Sequence, residues 1–206
     1  MPSEDYTEPA RDERDDIFDA DEDRDLVDGT DQDARDETTA EPEGDAVTFA
    51  SLGLPEEILE AVTDMGFRVP TPIQAAAIPP LLELRDVVGI AQTGTGKTAA
   101  FGLPLLAIVD ADERDVQALV LAPTRELAMQ SAQAIEDFAA RTARLDVVPV
   151  YGGSPYGPQI GALKRGAQVV VGTPGRVIDL IEKGALDLSN VRMLVLDEAD
   201  EMLRMG

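Results

Sequence analysis

The chain has 206 residues, 44% of them hydrophobic but only 4% aromatic, with no Cys, no His, no Trp and a formal net charge of −24. That length suffices for one sizeable domain with a tail, and its core must be built from Ala, Val, Leu and Ile. The missing Cys and His exclude disulfides, thiol nucleophiles, imidazole bases and most zinc sites, so any catalysis runs on carboxylates, Lys, Arg, hydroxyls, backbone amides or a hard cation such as Mg2+.

Residues 1–46 carry 20 acidic and 4 basic side chains, −16 of the −24, and show no hydrophobic periodicity. Such a segment is expected to be a disordered acidic tail. Ile17, Phe18, Leu26 and Val27 within it offer a second reading, a segment that docks protein partners. The N-terminus resembles neither a signal nor a transit peptide, and no apolar run reaches the length of a membrane span. The expectation is a soluble, cytoplasmic chain with no membrane partner. The remaining residues still carry −8, and Lys occurs only at Lys97, Lys164 and Lys183. Taken alone, that acidity argues against nucleic-acid binding.

Order is expected from Val47 onward, giving one domain over 47–206. Pro55 opens a helix with Ile58, Leu59, Val62 and Met65 on one face and Gly66 as its stop; Pro72 opens a second, through Ile78. Strand-like runs follow at Asp86–Ala91, Gln117–Ala122, Val147–Gly152, Ala167–Gly172 and Val191–Asp197. Helix-like runs lie between them, near 97–109, 125–140, 156–165 and 174–183. The strands are continuous apolar runs, as in a parallel sheet covered on both faces. The predicted fold class is α/β, a doubly wound parallel sheet.

The stretch "AQTGTGKT", Ala91 to Thr98, follows one such run and opens a helix, the context of a phosphate-binding loop. Gly94 and Gly96 let backbone N–H groups turn toward an anion, and the helix N-terminus adds partial positive charge. Lys97 is expected to reach the β- and γ-phosphates, and Thr98 to offer its hydroxyl to Mg2+. The generic pattern begins with Gly where this chain has Ala91. A second acidic strand end is needed to hold the metal, and "MLVLDEAD" supplies it. Asp197 is placed to hold Mg2+ and Glu198 to orient or deprotonate an attacking water; an ordinary acidic helix start is the competing reading.

With both stretches in hand, the chain resembles the DEAD-box RNA helicases. "DEAD" stands at Asp197–Asp200, and "AQTGTGKT" is that family's form of the phosphate loop, Ala91 included. The resemblance covers Phe49 to Gly206 and extends to "GFRVPTPIQ", Gly66 to Gln74, which is similar to the Q motif (within 47–75) with Phe49 as its upstream aromatic. It implies a RecA-like ATP-binding domain in which Ala91, Gln92, Thr93, Gly94, Thr95, Gly96, Lys97 and Thr98 hold ATP and Mg2+. A Gln amide can donate to N7 and accept from the N6 amine of adenine, so Gln74 would select ATP while Phe49 packs on the base.

By the same resemblance three strand ends line an RNA-binding edge. They are "PTRELA" (Pro123, Thr124, Arg125), Gly152–Gly153 and "TPGR" (Thr173, Gly175, Arg176). Contacts there would go to the sugar–phosphate backbone without sequence readout, so net charge becomes a poor guide. Arg125 and Arg176 also fit structural salt bridges. The family implies a second RecA-like domain that closes on ATP and RNA and brings the arginine that stabilises the transition state. The family's Ser-Ala-Thr motif and that domain lie beyond "EMLRMG". The expectation is a front part of a longer helicase, lacking a strand between the acidic strand and the phosphate-loop strand, and by itself marginal in stability and nearly inactive. A DNA helicase, or a non-enzymatic chain that binds nucleotide or a partner, remain the alternative readings.

Overall fold

The computed structural model describes residues 47–92, 94–141 and 145–205. The expectations for the 1–46 tail, for its Ile17, Phe18, Leu26 and Val27, and for Thr93 lie outside the described residues.

Four parallel strands form one sheet: β1 (Ala118–Leu121), β2 (Val147–Val150), β3 (Val169–Gly172) and β4 (Met193–Leu196), in the order β2-β3-β1-β4. Val120 of β1 stands opposite Val171 of β3 on one side and Val195 of β4 on the other. The helices are α1 (Glu56–Asp64), α2 (Pro72–Leu82), α3 (Lys97–Ile108), α4 (Arg125–Ala139), α5 (Tyr156–Lys164), α6 (Pro174–Glu182) and α7 (Ala199–Arg204), preceded by a 3-10 turn, Phe49–Leu52.

Side chains alternate along a strand, and here both directions are apolar. Ala118 and Val120 of β1, with Val169 and Val171 of β3, enter a core closed by Ile58, Val62, Ile78, Leu103, Leu106 and Ile135 of α1 to α4. Leu119 and Val170 point the other way, into a second core closed by Val177, Leu180 and Leu186. That two-sided burial is why the strands read as unbroken apolar runs, and the doubly wound α/β class expected from the sequence is what the chain forms.

Two elements differ from expectation. α2 continues past Ile78 through Pro79 and Pro80 to Leu82. Only two N–H groups are lost in that last turn, and the Pro79 and Pro80 carbonyls accept from the N–H groups of Glu83 and Arg85 at 3.1 and 3.0 Å. The second difference is larger. Residues 86–91 form no strand, and Val88 and Ile90 are 94% and 97% exposed. A strand exists through its partner's hydrogen bonds, and among the described residues none pairs with this segment. β4 is bonded to β1 alone, and its Leu194 and Leu196 are 58% and 53% exposed. The resemblance sets a further strand between these two segments, and among the described residues neither has that neighbour.

Candidate functional site

In a parallel sheet all C-terminal strand ends lie on one edge, where ligands of such folds bind. β1 runs out to Thr124, β2 to Gly152–Gly153, β3 to Thr173 and β4 to Asp197. The structure therefore gathers on one edge the strand-end residues singled out from the sequence.

The phosphate loop ends in a tight turn into α3. Gly94 and Gly96 have φ of +82° and +86°, the left-handed region that favours glycine, and Gly96 is the N-cap of α3. A Cβ on Gly96 would run into the Gln74 amide. The first turn of α3 has no acidic residue and no side-chain cap, so its N–H groups remain to meet an anion. Thr98 is the second residue of that helix and is half-buried. Thr95 closes the loop by donating its hydroxyl to the Gln92 carbonyl at 2.6 Å, while Ala91 is half-buried and Gln92 exposed.

The acidic strand end meets this loop across the fold. The Asp197 N–H donates to the Leu121 carbonyl at 2.8 Å, extending the β1–β4 ladder by one bond. Lys97 Nζ donates to Glu198 Oε1 at 2.6 Å, a pair that is about a quarter exposed on each side. Glu198 has φ +52°, an uncommon conformation for a residue with a side chain, and it caps α7. Burial pushes the Asp197 carboxyl above the ordinary carboxylate range and the charge on Glu198 adds to this, while the Ser131 hydroxyl and Lys97 pull it down. Lys97, Asp197 and Glu198 are thus brought together as the sequence indicated. Ser131, which donates to Asp197 Oδ2 at 3.1 Å, was not foreseen. Its signal was present: it falls in the buried row of α4, among Ala128, Ala132 and Ile135.

These donors suit a hard divalent cation. They are both oxygens, namely the Asp197 carboxylate and the Thr98 hydroxyl at the head of α3. Among the described residues no group of three or more acidic side chains could cage an ion. Oxygen donors are the kind that Mg2+ takes.

The two residues expected at the base sit differently. Gln74 is buried, and its amide is in use at both ends. Oε1 accepts from the Thr71 N–H at 2.9 Å and Nε2 donates to the Gly96 carbonyl at 3.2 Å. It ties the start of α2 to the phosphate loop. Phe49 is also buried, its ring edge-on to Phe67 at 6.3 Å between centroids. Its ring is spent on the core because the apolar turn Phe49–Leu52 packs there.

On the other loops, Thr124 caps α4 by accepting from the Leu127 N–H at 3.2 Å, and Pro123 is buried beneath it. Arg125 is exposed, with its guanidinium 4.8 Å above the Tyr151 ring. Gly152, Gly153 and Gly175 are exposed, with open space where a side chain would stand. The Thr173 N–H donates to the Val150 carbonyl at 3.0 Å. Arg176 departs from the expected phosphate contact. It is 8% exposed and donates to Gln159 Oε1 and to the Ser154 carbonyl, both at 3.0 Å, with the Tyr156 ring 4.1 Å away. Tyr156 in turn donates to Asp179, which also accepts from Lys183. The guanidinium is an internal brace because a buried charge must be saturated with acceptors. Gln159, the buried partner that supplies one of them, had no signal in the local sequence.

Comparison with known proteins finds relatives over most of the chain. The model of the DEAD/DEAH box helicase family matches residues 71–206. ATP-dependent RNA helicase DeaD of Haemophilus influenzae is 60% identical over 162 residues, which is 79% of this chain and 26% of that protein. DeaD of Mycobacterium tuberculosis is 57% identical over 165 residues, 80% of this chain and 29% of its own. The chain thus spans little more than a quarter of the curated relatives it matches. Among solved structures, a DEAD box protein from Methanococcus jannaschii superposes with a TM-score of 0.73 at 46% identity, over 77% of this chain and 43% of that one. A hypothetical ATP-dependent RNA helicase from Sulfolobus tokodaii gives 0.68 at 42% identity, over 74% and 44%. The left-handed glycines, the Lys97–Glu198 pair and the acidic end of β4 stand in the segment that the family model matches, and the chain belongs to the DEAD/DEAH box helicase family.

Proposed function

We propose that this chain is the ATP-binding part of an ATP-dependent RNA helicase, which couples ATP hydrolysis to binding single-stranded RNA and parting short duplexes. The observation that carries the reading is the 2.6 Å Lys97–Glu198 pair at the mouth of the phosphate loop, with Asp197 beside it. Before nucleotide arrives, Lys97 and Glu198 neutralise each other. The phosphates of ATP then draw Lys97 away, and the released Glu198 carboxylate can accept a proton from an attacking water. Asp197 and Thr98 would hold Mg2+, which would supply positive charge to offset that of the phosphates. Gln74 can read adenine with the second N–H of Nε2 while the first stays on the Gly96 carbonyl, which would tie base to loop through one amide.

Thr124, Arg125 and the open backbone at Gly152–Gly153 and Gly175 are the proposed contacts to an RNA backbone, and Arg176 holds that edge in shape. A second RecA-like domain in the whole protein would close over both sites. The test is ATP hydrolysis by the full-length protein with and without single-stranded RNA, and with DNA of the same sequence. RNA-stimulated turnover that Lys97→Ala abolishes supports the reading, and turnover stimulated equally by DNA would replace it with a DNA helicase. One observation favours a second reading for the 206 residues alone. With residues 86–91 unladdered and β4 open, they would bind nucleotide without appreciable turnover.

A further inference from the structure

α4 buries one row of side chains, Ala128, Ser131, Ala132, Ile135, Phe138 and Ala139. Ser131 is its single hydroxyl and is 4% exposed. Alanine would fill such a row with less penalty, because a buried hydroxyl must find a partner. A serine inside a helix usually finds one on the carbonyl a turn back. Ser131 instead donates across the fold to Asp197 Oδ2, 66 residues away, at 3.1 Å. The Asp197 backbone is pinned separately, by the bond from its N–H to the Leu121 carbonyl. The ladder therefore sets where the residue sits, and the hydroxyl sets how its carboxylate is turned. A carboxylate held by one oxygen presents the other in a fixed direction, which is how a neighbouring side chain orients a metal ligand.

We propose that Ser131 is a positioning residue for the metal site, holding Asp197 through Oδ2 so that its remaining oxygen meets the Mg2+ that accompanies nucleotide. This rests on the reading of Asp197 as a metal ligand. Replacing Ser131 leaves every group that touches nucleotide in place, so the effect belongs to the Mg2+ dependence of binding and not to binding as such.

The test titrates Mg2+ into the full chain in the presence of a fluorescent ADP analogue and reads the Mg2+ midpoint of nucleotide binding. Ser131→Ala removes the hydroxyl; Ser131→Cys keeps the volume but replaces it with a weak donor. Both are expected to raise the Mg2+ midpoint about tenfold, while Ser131→Thr stays near wild type. Affinity measured in EDTA and the far-UV circular dichroism spectrum should not change. In an Asp197→Asn background, Ser131→Ala should have no further effect. An unchanged midpoint in both Ser131→Ala and Ser131→Cys overturns the proposal. So does a loss of equal size in EDTA, which would mark a packing role. If Asp197→Asn itself leaves the midpoint at the wild-type value, the metal-ligand reading fails and the proposal falls with it. If Asp197→Asn shifts it and the Ser131 variants do not, the proposal alone fails.

Discussion

An inner strand and an edge strand of this sheet are made from similar sequence and have opposite fates. β3 reads "VVVG" and is buried throughout; β4 reads "MLVL", and half of its side chains face outward. The run "DVVGI" at Asp86–Ile90 carries three branched aliphatic side chains, yet Ile90 is almost fully exposed. Apolar character makes a segment able to be buried. What buries it is a neighbour on each edge and a helix on each face, and β1 and β3 have both. The closed side carries the stability, and the open side carries the phosphate loop and the acidic strand end.

The largest expected effect sharpens that division. Lys97→Ala should abolish nucleotide binding, read by fluorescent-nucleotide titration, while leaving the melting temperature close to wild type, because Lys97 packs nothing in the core. Next come two cuts of the same residue type. Leu180→Ala, fully buried in the second core, should cost about 2–5 kcal/mol in urea unfolding. Leu194→Ala on β4 should cost under about 0.5 kcal/mol. Equal losses would break the comparison.

Two glycines make the same contrast at the edge proposed to meet RNA. A Cβ on Gly172 would sit within 2.6 Å of the Val150 carbonyl oxygen, so Gly172→Ala should destabilise by about 1–3 kcal/mol. Gly175→Ala meets open space and should leave stability unchanged, so any loss of RNA affinity there reads the edge itself. A smaller effect concerns the resting ion pair. Glu198→Ala frees Lys97 and should tighten nucleotide binding about two- to fivefold while removing hydrolysis, since partly exposed pairs are worth about 1 kcal/mol or less.

The smallest is a pH effect at Asp197. Burial raises its folded-state pKa above the unfolded value. Between those two values the folded chain holds a proton that the unfolded chain has lost, so stability falls as pH rises through that window and stays lower above it. Asparagine carries no such charge. Asp197→Asn should therefore melt above wild type at neutral pH, and the gain should shrink as pH falls toward the ordinary carboxylate range. A gain independent of pH would point to packing instead.

Much of this molecule was legible in the chain because its signals are local. Pro72 at the first turn of α2, and Gly66, Gly94 and Gly96 in left-handed conformations, announce themselves within a few residues. The unbroken apolar runs announced a sheet covered on both faces. "AQTGTGKT" and "MLVLDEAD" marked Lys97 and Glu198 as parts of one site, because parallel topology brings strand ends to one edge, while their direct pairing across 101 positions came from the fold. Where expectation and structure part, the deciding group was distant. A run such as Asp86–Ala91 is a strand only if another strand lies beside it.

By itself, then, the sequence determined the class of fold, the order of its elements and the chemistry available at one edge of the sheet. Tertiary structure alone decided how individual polar groups are spent. Gln74 closes on the Gly96 carbonyl, Arg176 turns inward to Gln159 and Ser154, Phe49 joins the core, and Ser131 reaches Asp197. The reason is that backbone conformation and helical periodicity are properties of neighbours along the chain. Hydrogen-bond partners of buried side chains are instead set by whichever acceptor the packed fold brings within about 3 Å.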